Sequence, residues 1–236
     1  MTQAKYKKIE TTLRQRIIDH TYPLNSLLPK EIELAKEFKT SRPTINHAIH
    51  NLVQQGLLEQ RKRLGTVVKR NKIQQEFTHI IQGYDQEMEN KGLATRTDVL
   101  YFQKIMPTLK IQAKLKLAPS EMVFKLVRLR YADNIPVVKV ITYIPASVSP
   151  DLEKVNFSTA SLYTELEKRN LSVTHVVRKL EVKRASSKIA KALCIKTNDP
   201  VFYFHTHGYT NKDQIIEYSI ATYRGDLNSF IIDLNR

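Results

Sequence analysis

The sequence predicts an α+β protein with two domains, a small helical domain at the N-terminus and a larger domain built on an antiparallel sheet. Three observations predict this fold class. Apolar residues recur at helical spacing in the first segment, two pairs of strand-like segments flank short polar turns in the second, and the residues between the two segments are polar and basic. We therefore assign residues 1–69 to the first domain, 70–76 to a linker and 77–236 to the second domain.

The first domain is predicted to begin with a helix of about four turns. Tyr6, Ile9, Leu13 and Ile17 lie at the three- and four-residue intervals that place side chains on one helical face. The pattern ends near residues 21–23, where the sequence is TYP. We expect this helix to pack behind the two helices that follow.

Two shorter helices joined by a tight turn are predicted within residues 28–56. Their buried faces are given by apolar residues at helical spacing, which are Leu34, Ala35 and Phe38 in one helix and Ile45, Ala48, Ile49 and Leu52 in the other. Ser41 is a favourable N-cap for the second of these helices, Pro43 fits its first turn, and Gly56 fits the left-handed position after its last turn. Only residues 39–41 remain for the turn, so the arrangement predicts a helix-turn-helix.

The outward face of the second helix carries hydrogen-bonding side chains, which are Arg42, Thr44, Asn46, His47 and His50. In helix-turn-helix proteins this helix enters the major groove of DNA with its N-terminus first. Two amphipathic helices and a turn also occur in many proteins that never bind DNA. The helical spacing alone therefore leaves both alternatives open.

A basic hairpin favours the DNA-binding alternative. Residues 57–60 and 66–69 have the pattern of two short strands, separated by the tip RKRLG at 61–65, and a helix-turn-helix followed by such a hairpin is a winged helix. Residues 1–70 carry 14 Lys/Arg against 6 Asp/Glu, which is +8 of the net charge of +15. Because Lys and Arg gain affinity by releasing counterions from phosphates, we expect double-stranded DNA as a partner, and the remaining basic charge is explained by a generally basic surface.

The first domain resembles the N-terminal domain of GntR-type bacterial transcription regulators. The resemblance is carried by LPKE at 28–31, LA at 34–35, SRPTI at 41–45, GLL at 56–58 and GTVV at 65–68. It implies DNA contacts from the turn, the second helix and the hairpin tip, which here are Arg42, Thr44, Asn46, His47, Gly65 and Thr66. To these we add their polar or basic neighbours Lys30, Ser41, Arg61 and Arg63.

Three residues depart from the family pattern and predict a different operator. The family usually has Ser at the position of Lys30, Arg or Lys at that of Asn46, and a second glycine at that of Arg63. Asn pairs best with the N6/N7 edge of adenine, whereas Arg prefers O6/N7 of guanine. We therefore predict that the operator differs from the common family site at the base read by Asn46.

The second domain is predicted to contain two antiparallel hairpins. A helix is expected from Ile80 to Met88, ending near Gly92, and a strand at 99–102. The hairpins are predicted from strand-like segments 122–131 and 137–144 around the turn 132–134, and from segments 201–209 and 214–223 around the turn 210–213.

The two hairpins belong to a weak internal repeat with an offset of 78 residues. This offset places Ile111 on Ile189, Leu115 on Leu193, Val123-Phe124 on Val201-Phe202, and Tyr131 on Tyr209. Each copy would consist of a short helix, a turn and a long hairpin. A duplicated unit of this kind predicts a largely antiparallel α+β sheet with a cleft between its halves, although a chance alignment is the alternative.

The second domain resembles the UTRA effector-binding domain of the HutC subfamily of GntR regulators, which has a chorismate-lyase-like fold. The resemblance is carried by RLRYADNIP at 128–136, YIP at 143–145, SLY at 161–163, EYS at 217–219 and YRGD at 223–226. It implies an effector-binding and dimerisation domain.

Two arginines predict an anion site. Arg128 and Arg130 are two residues apart on a predicted strand and therefore share a face, where a phosphate or carboxylate would accept their donors. The alternative is a pair of solvated surface arginines. The resemblance favours a small anionic effector, commonly a sugar phosphate, bound also by Ser161, Tyr163, Glu217 and Tyr223. The subfamily often has Glu where this chain has Val140, which leaves the effector's identity open.

The sequence lacks the usual motifs of enzymes and metal sites. It contains no glycine-rich phosphate loop, G-x-S-x-G motif or Cys-x-x-Cys pair, and His205 and His207 share a strand face without a third ligand at motif spacing. We predict no cofactor and no metal. The single cysteine, Cys194, cannot form an internal disulfide and is expected to be buried. No apolar run approaches the roughly 20 residues of a membrane span, and the N-terminus has no apolar core of a signal peptide.

The sequence therefore predicts a cytoplasmic, homodimeric transcription regulator, more often a repressor than an activator in function, that binds a two-fold operator and responds to a small anionic effector. Two alternatives remain at this point. One is an enzyme of chorismate-lyase-like fold with an accessory DNA-binding domain, and the other is a nonspecific basic nucleic-acid binder.

Overall fold

The computed structural model describes residues 3–19, 21–23, 26–69, 72–75 and 84–232. It divides the chain into two compact units, Met1–Lys72 and Ile73–Arg236. The first unit is a helix-turn-helix with a hairpin, and the second is an antiparallel α+β unit, as the sequence predicts.

The described residues of the first unit form three helices and one hairpin. The helices are α1 (Gln3–Ile18), α2 (Glu31–Glu37) and α3 (Arg42–Gln54), and the hairpin strands are β1 (Leu58–Arg61) and β2 (Gly65–Val68). Leu13, Leu34, Ile45 and Leu52 are fully buried in one core, so the apolar faces predicted from helical spacing pack against each other.

The ends of α3 differ in how well the sequence predicts them. Gly56 has a φ of 70°, which is the left-handed conformation predicted after the helix. Ser41 is the N-cap, but its hydroxyl lies 2.8 Å from the hydroxyl of Thr44 and makes no capping hydrogen bond to the backbone. Ser41 is therefore the N-cap residue that the sequence predicts, although its side chain does not cap the backbone. Pro43 removes one of the two amides that such a cap can use, and the Thr44 hydroxyl competes for the serine.

The second unit is built on one six-stranded antiparallel sheet with the strand order β4-β5-β6-β9-β8-β7. Its strands are β4 (Thr95–Ile105), β5 (Val123–Ala132), β6 (Ile135–Pro145), β7 (His175–Arg184), β8 (Pro200–Tyr209) and β9 (Ile215–Arg224). Both predicted hairpins are present, and Asp133 and Asn134 in the first turn have positive φ values of 47° and 65°, typical of a tight two-residue turn.

In the described part of the second unit, four helices and a 3-10 segment cover the sheet. They are α4 (Tyr84–Asn90), α5 (Leu109–Leu115), the 3-10 segment Pro150–Lys154, α6 (Leu162–Glu167) and α7 (Ser187–Leu193). Strand side chains alternate between faces, and α4 and α6 pack on residues of one face while α5 and α7 pack on residues of the other. No helix among these described residues is long and apolar enough to cross a membrane.

The internal repeat is present in the structure. The helices α5 and α7 are offset by the predicted 78 residues, and the hydroxyls of Thr108 and Ser186 cap them at equivalent positions. Both helices end on a left-handed residue, Lys116 and Cys194 respectively. Cys194 is exposed, which corrects the expectation that it is buried. Its place after the last helical turn takes its side chain out of the apolar face.

The segment predicted as a linker contains a short strand. Ile73–Gln75 forms β3, which pairs in parallel with β10 (Asn228–Phe230) near the end of the chain. Residues 70, 71 and 76, also placed in the linker, lie outside the described residues. The helix predicted from Ile80 is described only from Tyr84, because residues 76–83 are likewise outside the described part.

Candidate effector cavity and nucleic-acid interface

A cavity of about 700 Å³, including its open mouth, lies on one face of the sheet in the second unit. Of this space, about 100 Å³ is available to the centres of water-sized molecules. The floor is formed by side chains of β5, β6, β8 and β9, while α4, the start of α6 and β7 supply the walls. The lining residues are Tyr84, Glu87, Arg128, Arg130, Val140, Ser161, Leu162, Tyr163, Arg178, Phe204, Thr206, Glu217, Ser219, Ala221 and Tyr223.

One end of the cavity holds two buried guanidinium groups. Arg128 is 4% exposed and Arg130 is 9% exposed. Nε and Nη1 of Arg128 and Nε of Arg130 are buried and donate no hydrogen bond to any described residue. Burial, and secondarily the charge of Arg130, lower the pKa of Arg128 to about 9. Buried donors of this kind are costly unless paired, so this end of the cavity is chemically suited to an anion.

The same cavity contains a buried carboxylate with an available acceptor. Glu217 is 4% exposed, and its Oε2 receives no hydrogen bond from the described residues. The hydroxyl of Tyr163 lies near Glu217 and Arg178, and burial, followed by the charge of Glu217, raises the pKa of Tyr163. Tyr163 therefore stays protonated at neutral pH. The Oε2 atom of Glu217 is suited to accept from a hydroxyl or amino group of a ligand.

The absence of a side chain at Gly208 provides the space that the side chain of Glu217 occupies. The two residues pair across β8 and β9. A Cβ atom on residue 208 would lie 3.2 Å from both Cβ and Oε2 of Glu217, which is tighter than ordinary van der Waals contact. The position of the carboxylate thus depends on a glycine at 208.

An aromatic cluster joins the cavity wall to strands β10 and β3. Phe230 on β10 packs edge-on against Phe204 and Tyr223, with ring centroids 4.8 and 5.4 Å away. Burial raises the pKa of Tyr223, and Ile73 on β3 packs against the same cluster. A buried hydrogen bond of 2.7 Å from Gln75 to Asn228 ties the two strands together. The cavity wall is therefore in contact with the strand that opens the second unit.

The structure places all six predicted effector residues around this one cavity. Ser161 is at the N-cap of α6, where its hydroxyl makes no capping hydrogen bond. Val140, the position where the subfamily often has Glu, also lines the cavity. Sequence reasoning missed other polar lining residues, which are Tyr84, Glu87, Arg178, Thr206 and Ser219.

The predicted histidine pair lies away from this cavity. His205 alternates with the cavity residues Phe204 and Thr206 and therefore faces the other side of the sheet. Its Nδ1 lies 2.7 Å from the Tyr218 hydroxyl and its Nε2 lies 3.1 Å from Oε2 of Glu181. Within the described ranges, no group of three or more His, Cys, Asp or Glu side chains is arranged to hold a metal.

Three of the four predicted DNA-reading residues of α3 line one concave surface in the first unit, and the fourth, Thr44, does not. Arg42, Asn46 and His47 line it together with Glu31 from the start of α2, and Pro43 and His50 complete it. The ring of His47 stacks on that of Tyr6, with centroids 4.2 Å apart. Glu31, which sequence reasoning did not single out, accepts a 3.0 Å hydrogen bond from Asn46.

The other predicted DNA contacts lie at the turn and at the hairpin tip. Lys30, Ser41, Arg61 and Arg63 are exposed, and Thr66 is half-buried. Nη2 of Arg61 forms an ion pair with Oε2 of Glu59 at 3.1 Å, and Glu59 also forms an ion pair with Lys69. Arg63 has a φ of 68° and Gly65 a φ of 115°, so the tip is a tight turn that presents its basic side chains to solvent.

Two family models match the chain. The model described as bacterial regulatory proteins, gntR family, matches residues 5–68, and the model of the UTRA domain matches residues 90–227. The two matched segments lie in the two compact units, respectively. The predicted resemblance of each domain is thereby confirmed.

Relatives and a solved structure agree with these matches. The chain is 33% identical to the HTH-type transcriptional regulator GmuR of Bacillus subtilis over 61% of this chain and 62% of GmuR, which is less than two thirds of either. It is 27% identical to the HTH-type transcriptional repressor NagR of the same organism over 98% of this chain and 95% of NagR. The crystal structure of PhnF from Mycobacterium smegmatis matches with a TM-score of 0.69 and 25% identity, over 96% of this chain and 98% of that chain.

The descriptions of these matches agree with the regulator class. The gntR family model describes bacterial regulatory proteins, and both relatives are named as transcription regulators. The predicted α+β fold with a winged helix-turn-helix is confirmed as well. The chain belongs to the family of proteins with a UTRA domain, and its N-terminal domain matches the gntR family of bacterial regulatory proteins.

Proposed function

We propose that the protein is a cytoplasmic repressor that binds a two-fold operator as a homodimer and releases it when a small anionic effector, such as a sugar phosphate, fills the cavity of the second unit. The observation that carries this proposal is the set of buried guanidinium donors on Arg128 and Arg130 without partners among the described residues. The charge of these groups is compensated only in part by Glu217, so the cavity favours a ligand with negative charge.

The geometry of the donors favours a phosphate over a single carboxylate. Arg128 offers two unpartnered nitrogens and Arg130 offers one, and a phosphate has enough oxygens to accept from both forks at once. Glu217 presents a free acceptor in the same cavity, and Ser161 and Ser219 add neutral hydroxyls. A ligand with a phosphate and several hydroxyl groups satisfies all of these partners, which is the chemistry of a sugar phosphate.

The surface of α3 and the hairpin tip supports operator binding. The first helical turns of α3 present Arg42, Asn46 and His47 to solvent on one concave surface, in the orientation in which a recognition helix reads base edges. Lys30, Arg61 and Arg63 lie outside the helix and are suited to phosphate contacts. We propose that Asn46 reads adenine, because its amide can both accept from N6 and donate to N7.

We propose that strands β3 and β10 couple effector binding in the cavity to operator binding. The effector would contact Tyr223 in the cavity, Tyr223 packs on Phe230, and β10 holds Ile73–Gln75 at the start of the second unit. In a homodimer, a shift of this strand would change the population of states in which two winged helices match the operator spacing. The effector acts in this scheme only if it binds one of those states more tightly.

The test is a binding experiment with the full chain. Operator sites are selected from random DNA, and fluorescence anisotropy then measures affinity for the selected site as hexose phosphates are added. We expect a palindromic site, and release of it by at least one phosphate ester but not by the free sugar. If the chain binds scrambled DNA equally well at moderate salt, it is a nonspecific binder. If the chain converts the added ligand into a product, the result supports the enzyme alternative.

A further inference from the structure

We infer that Glu31 is a positioning residue that orients the amide of Asn46 and thereby sets the base that Asn46 reads. This inference rests on the proposed operator binding. Glu31 is the first residue of α2 and Asn46 lies on α3, so the contact crosses the helix-turn-helix. Both residues line the concave surface that would face the major groove.

The hydrogen bond fixes which way the amide points. The Nδ2 of Asn46 donates to Oε1 of Glu31 over 3.0 Å. An ionised carboxylate can only accept, so Glu31 can pair with the NH2 group of Asn46 but not with its carbonyl oxygen. The χ2 angle of a free asparagine is broad, and both amide orientations are then accessible. Glu31 removes one of them.

The fixed orientation matches one base. With one N–H bonded to Glu31, Asn46 retains a second N–H as a donor and Oδ1 as an acceptor. Adenine presents N7 as an acceptor and N6 as a donor, which is the complementary pair. The flipped amide would present its groups in the reverse order. Glu31 thus favours the orientation that reads adenine, without touching the base itself.

A purely electrostatic role explains the position less well. Oε2 of Glu31 lies 3.8 Å from Nη2 of Arg42, whose side chain is 63% exposed, and exposed ion pairs contribute little. A carboxylate on a DNA-facing surface also repels phosphates. An orienting role gives this negative charge a function that an ion pair with Arg42 does not supply.

The test compares Glu31→Gln with the wild-type chain in a selection from random DNA. Glu31→Gln keeps the shape of the side chain but can donate as well as accept, so both amide orientations of Asn46 return. The operator position that loses its preference in Asn46→Ala identifies the base read by Asn46. At that position we expect Glu31→Gln to lower the preference for adenine about twofold, because equal occupancy of both orientations halves the competent fraction, with other positions unchanged.

Two variants control for charge and for indirect effects. Glu37→Gln removes the same charge from the same helix, where Glu37 pairs with Arg16, and should leave the preference at that position intact. Adding Glu31→Gln to Asn46→Ala should change the preference no further, because Glu31 acts through Asn46. If circular dichroism shows that Glu31→Gln does not fold, Glu31→Ala takes its place.

The outcomes separate this inference from the proposed function. If Glu31→Gln keeps the wild-type preference, or if all operator positions lose preference together, the positioning role is refuted while operator binding stands. If Asn46→Ala affects no single position, the inference is also refuted. A wild-type chain that selects no site at all would refute the proposed function instead.

Discussion

Replacing Arg128 by methionine should stabilise the second unit while abolishing its response to the effector. Arg128 is buried beside Arg130, and the structure shows no acceptor among the described residues for its Nε and Nη1. Methionine has a similar length and no charge, so it removes the desolvation and the like-charge repulsion without opening a large void.

The magnitude follows from the perturbed pKa. Burial and Arg130 lower the pKa of Arg128 from its usual value to about 9, and at about 1.36 kcal/mol per unit this shift corresponds to at most ~5 kcal/mol of unfavourable free energy for the charged form. Replacing buried ionic groups by apolar ones commonly gives about 1–4 kcal/mol. We expect Arg128→Met to raise the free energy of unfolding of the second unit by an amount in that range at pH 7.

The stability difference between Arg128→Met and the wild type should depend on pH. Because the folded pKa of Arg128 is lower than the unfolded one, the destabilisation is fully present below about pH 9 and is lost as the pH rises from there towards the usual pKa of an arginine. The advantage of Arg128→Met over the wild type should therefore be smaller at pH 10 than at pH 7.

Calorimetry of the full chain measures both the stability and the response. The control is Arg96→Met, which removes an arginine that is 49% exposed and paired with Asp98 and should change stability little. An effector at a hundred times its Kd should stabilise the wild type by about 2.7 kcal/mol and Arg128→Met not at all. If Arg128→Met is no more stable than the wild type at pH 7, or if its advantage does not narrow at pH 10, the account of an unpaired buried cation is refuted.

Three further predictions address the glycine, the strand pair and the hairpin tip. Gly208→Ala should retain the fold but weaken effector affinity about tenfold or more in calorimetric titration. The reason is that the new Cβ would lie 3.2 Å from Oε2 of Glu217 and displace this carboxylate. Unchanged affinity would mean that Glu217 does not contact the effector. Gln75→Ala leaves Asn228 without its 2.7 Å partner and should cost about 1–3 kcal/mol of stability. In anisotropy titrations it should retain effector binding but release less operator, and full release would exclude coupling through β3 and β10. Arg63→Gln should reduce the slope of log affinity against log salt by about 0.9, and an unchanged slope would place Arg63 away from the phosphates.

Local patterns explain why much of this fold could be predicted from the sequence. The helical spacing of Ile45 and Leu52 depends only on neighbours along the chain, and the structure buries both side chains. The left-handed conformation of Gly56 is local in the same sense, and the structure shows it. The turn at Asp133 and Asn134 is likewise a local property of residues that tolerate positive φ.

The edge strand β7 was missed because its sequence, HVVRKLEVKR, carries charges between its apolar residues. An edge strand is exposed along most of its length, and charges there hinder aggregation, so the apolar alternation is weak. The signal was nevertheless present in the repeat. The offset of 78 residues places the predicted strand 99–102 on 177–180, which would have predicted a strand through Arg178 and a third arginine beside the cavity.

Strands β3 and β10 could not be predicted in the same way. Each has three residues, and they pair in parallel across 153 positions of sequence between Gln75 and Asn228. A pairing of this kind is stabilised by its surroundings, here the aromatic cluster around Phe230, and leaves no periodic pattern in the sequence. The contact between Glu31 and Asn46 is another tertiary feature without a local signature.

The duplication of the second unit also explains the orientation in which the cavity would hold a ligand. The offset of 78 residues places Arg128 on Thr206 and Arg130 on Gly208, so at these two positions only the first copy carries cations, while Arg178 of the second copy lines the cavity from β7. In the second copy Gly208 pairs with Glu217, which puts the carboxylate in that half of the cavity. A phosphate turned towards Glu217 would meet like charge and leave both guanidinium groups unpaired. A sugar phosphate would therefore bind in one direction only, with its phosphate at the first hairpin and its hydroxyl groups at the second.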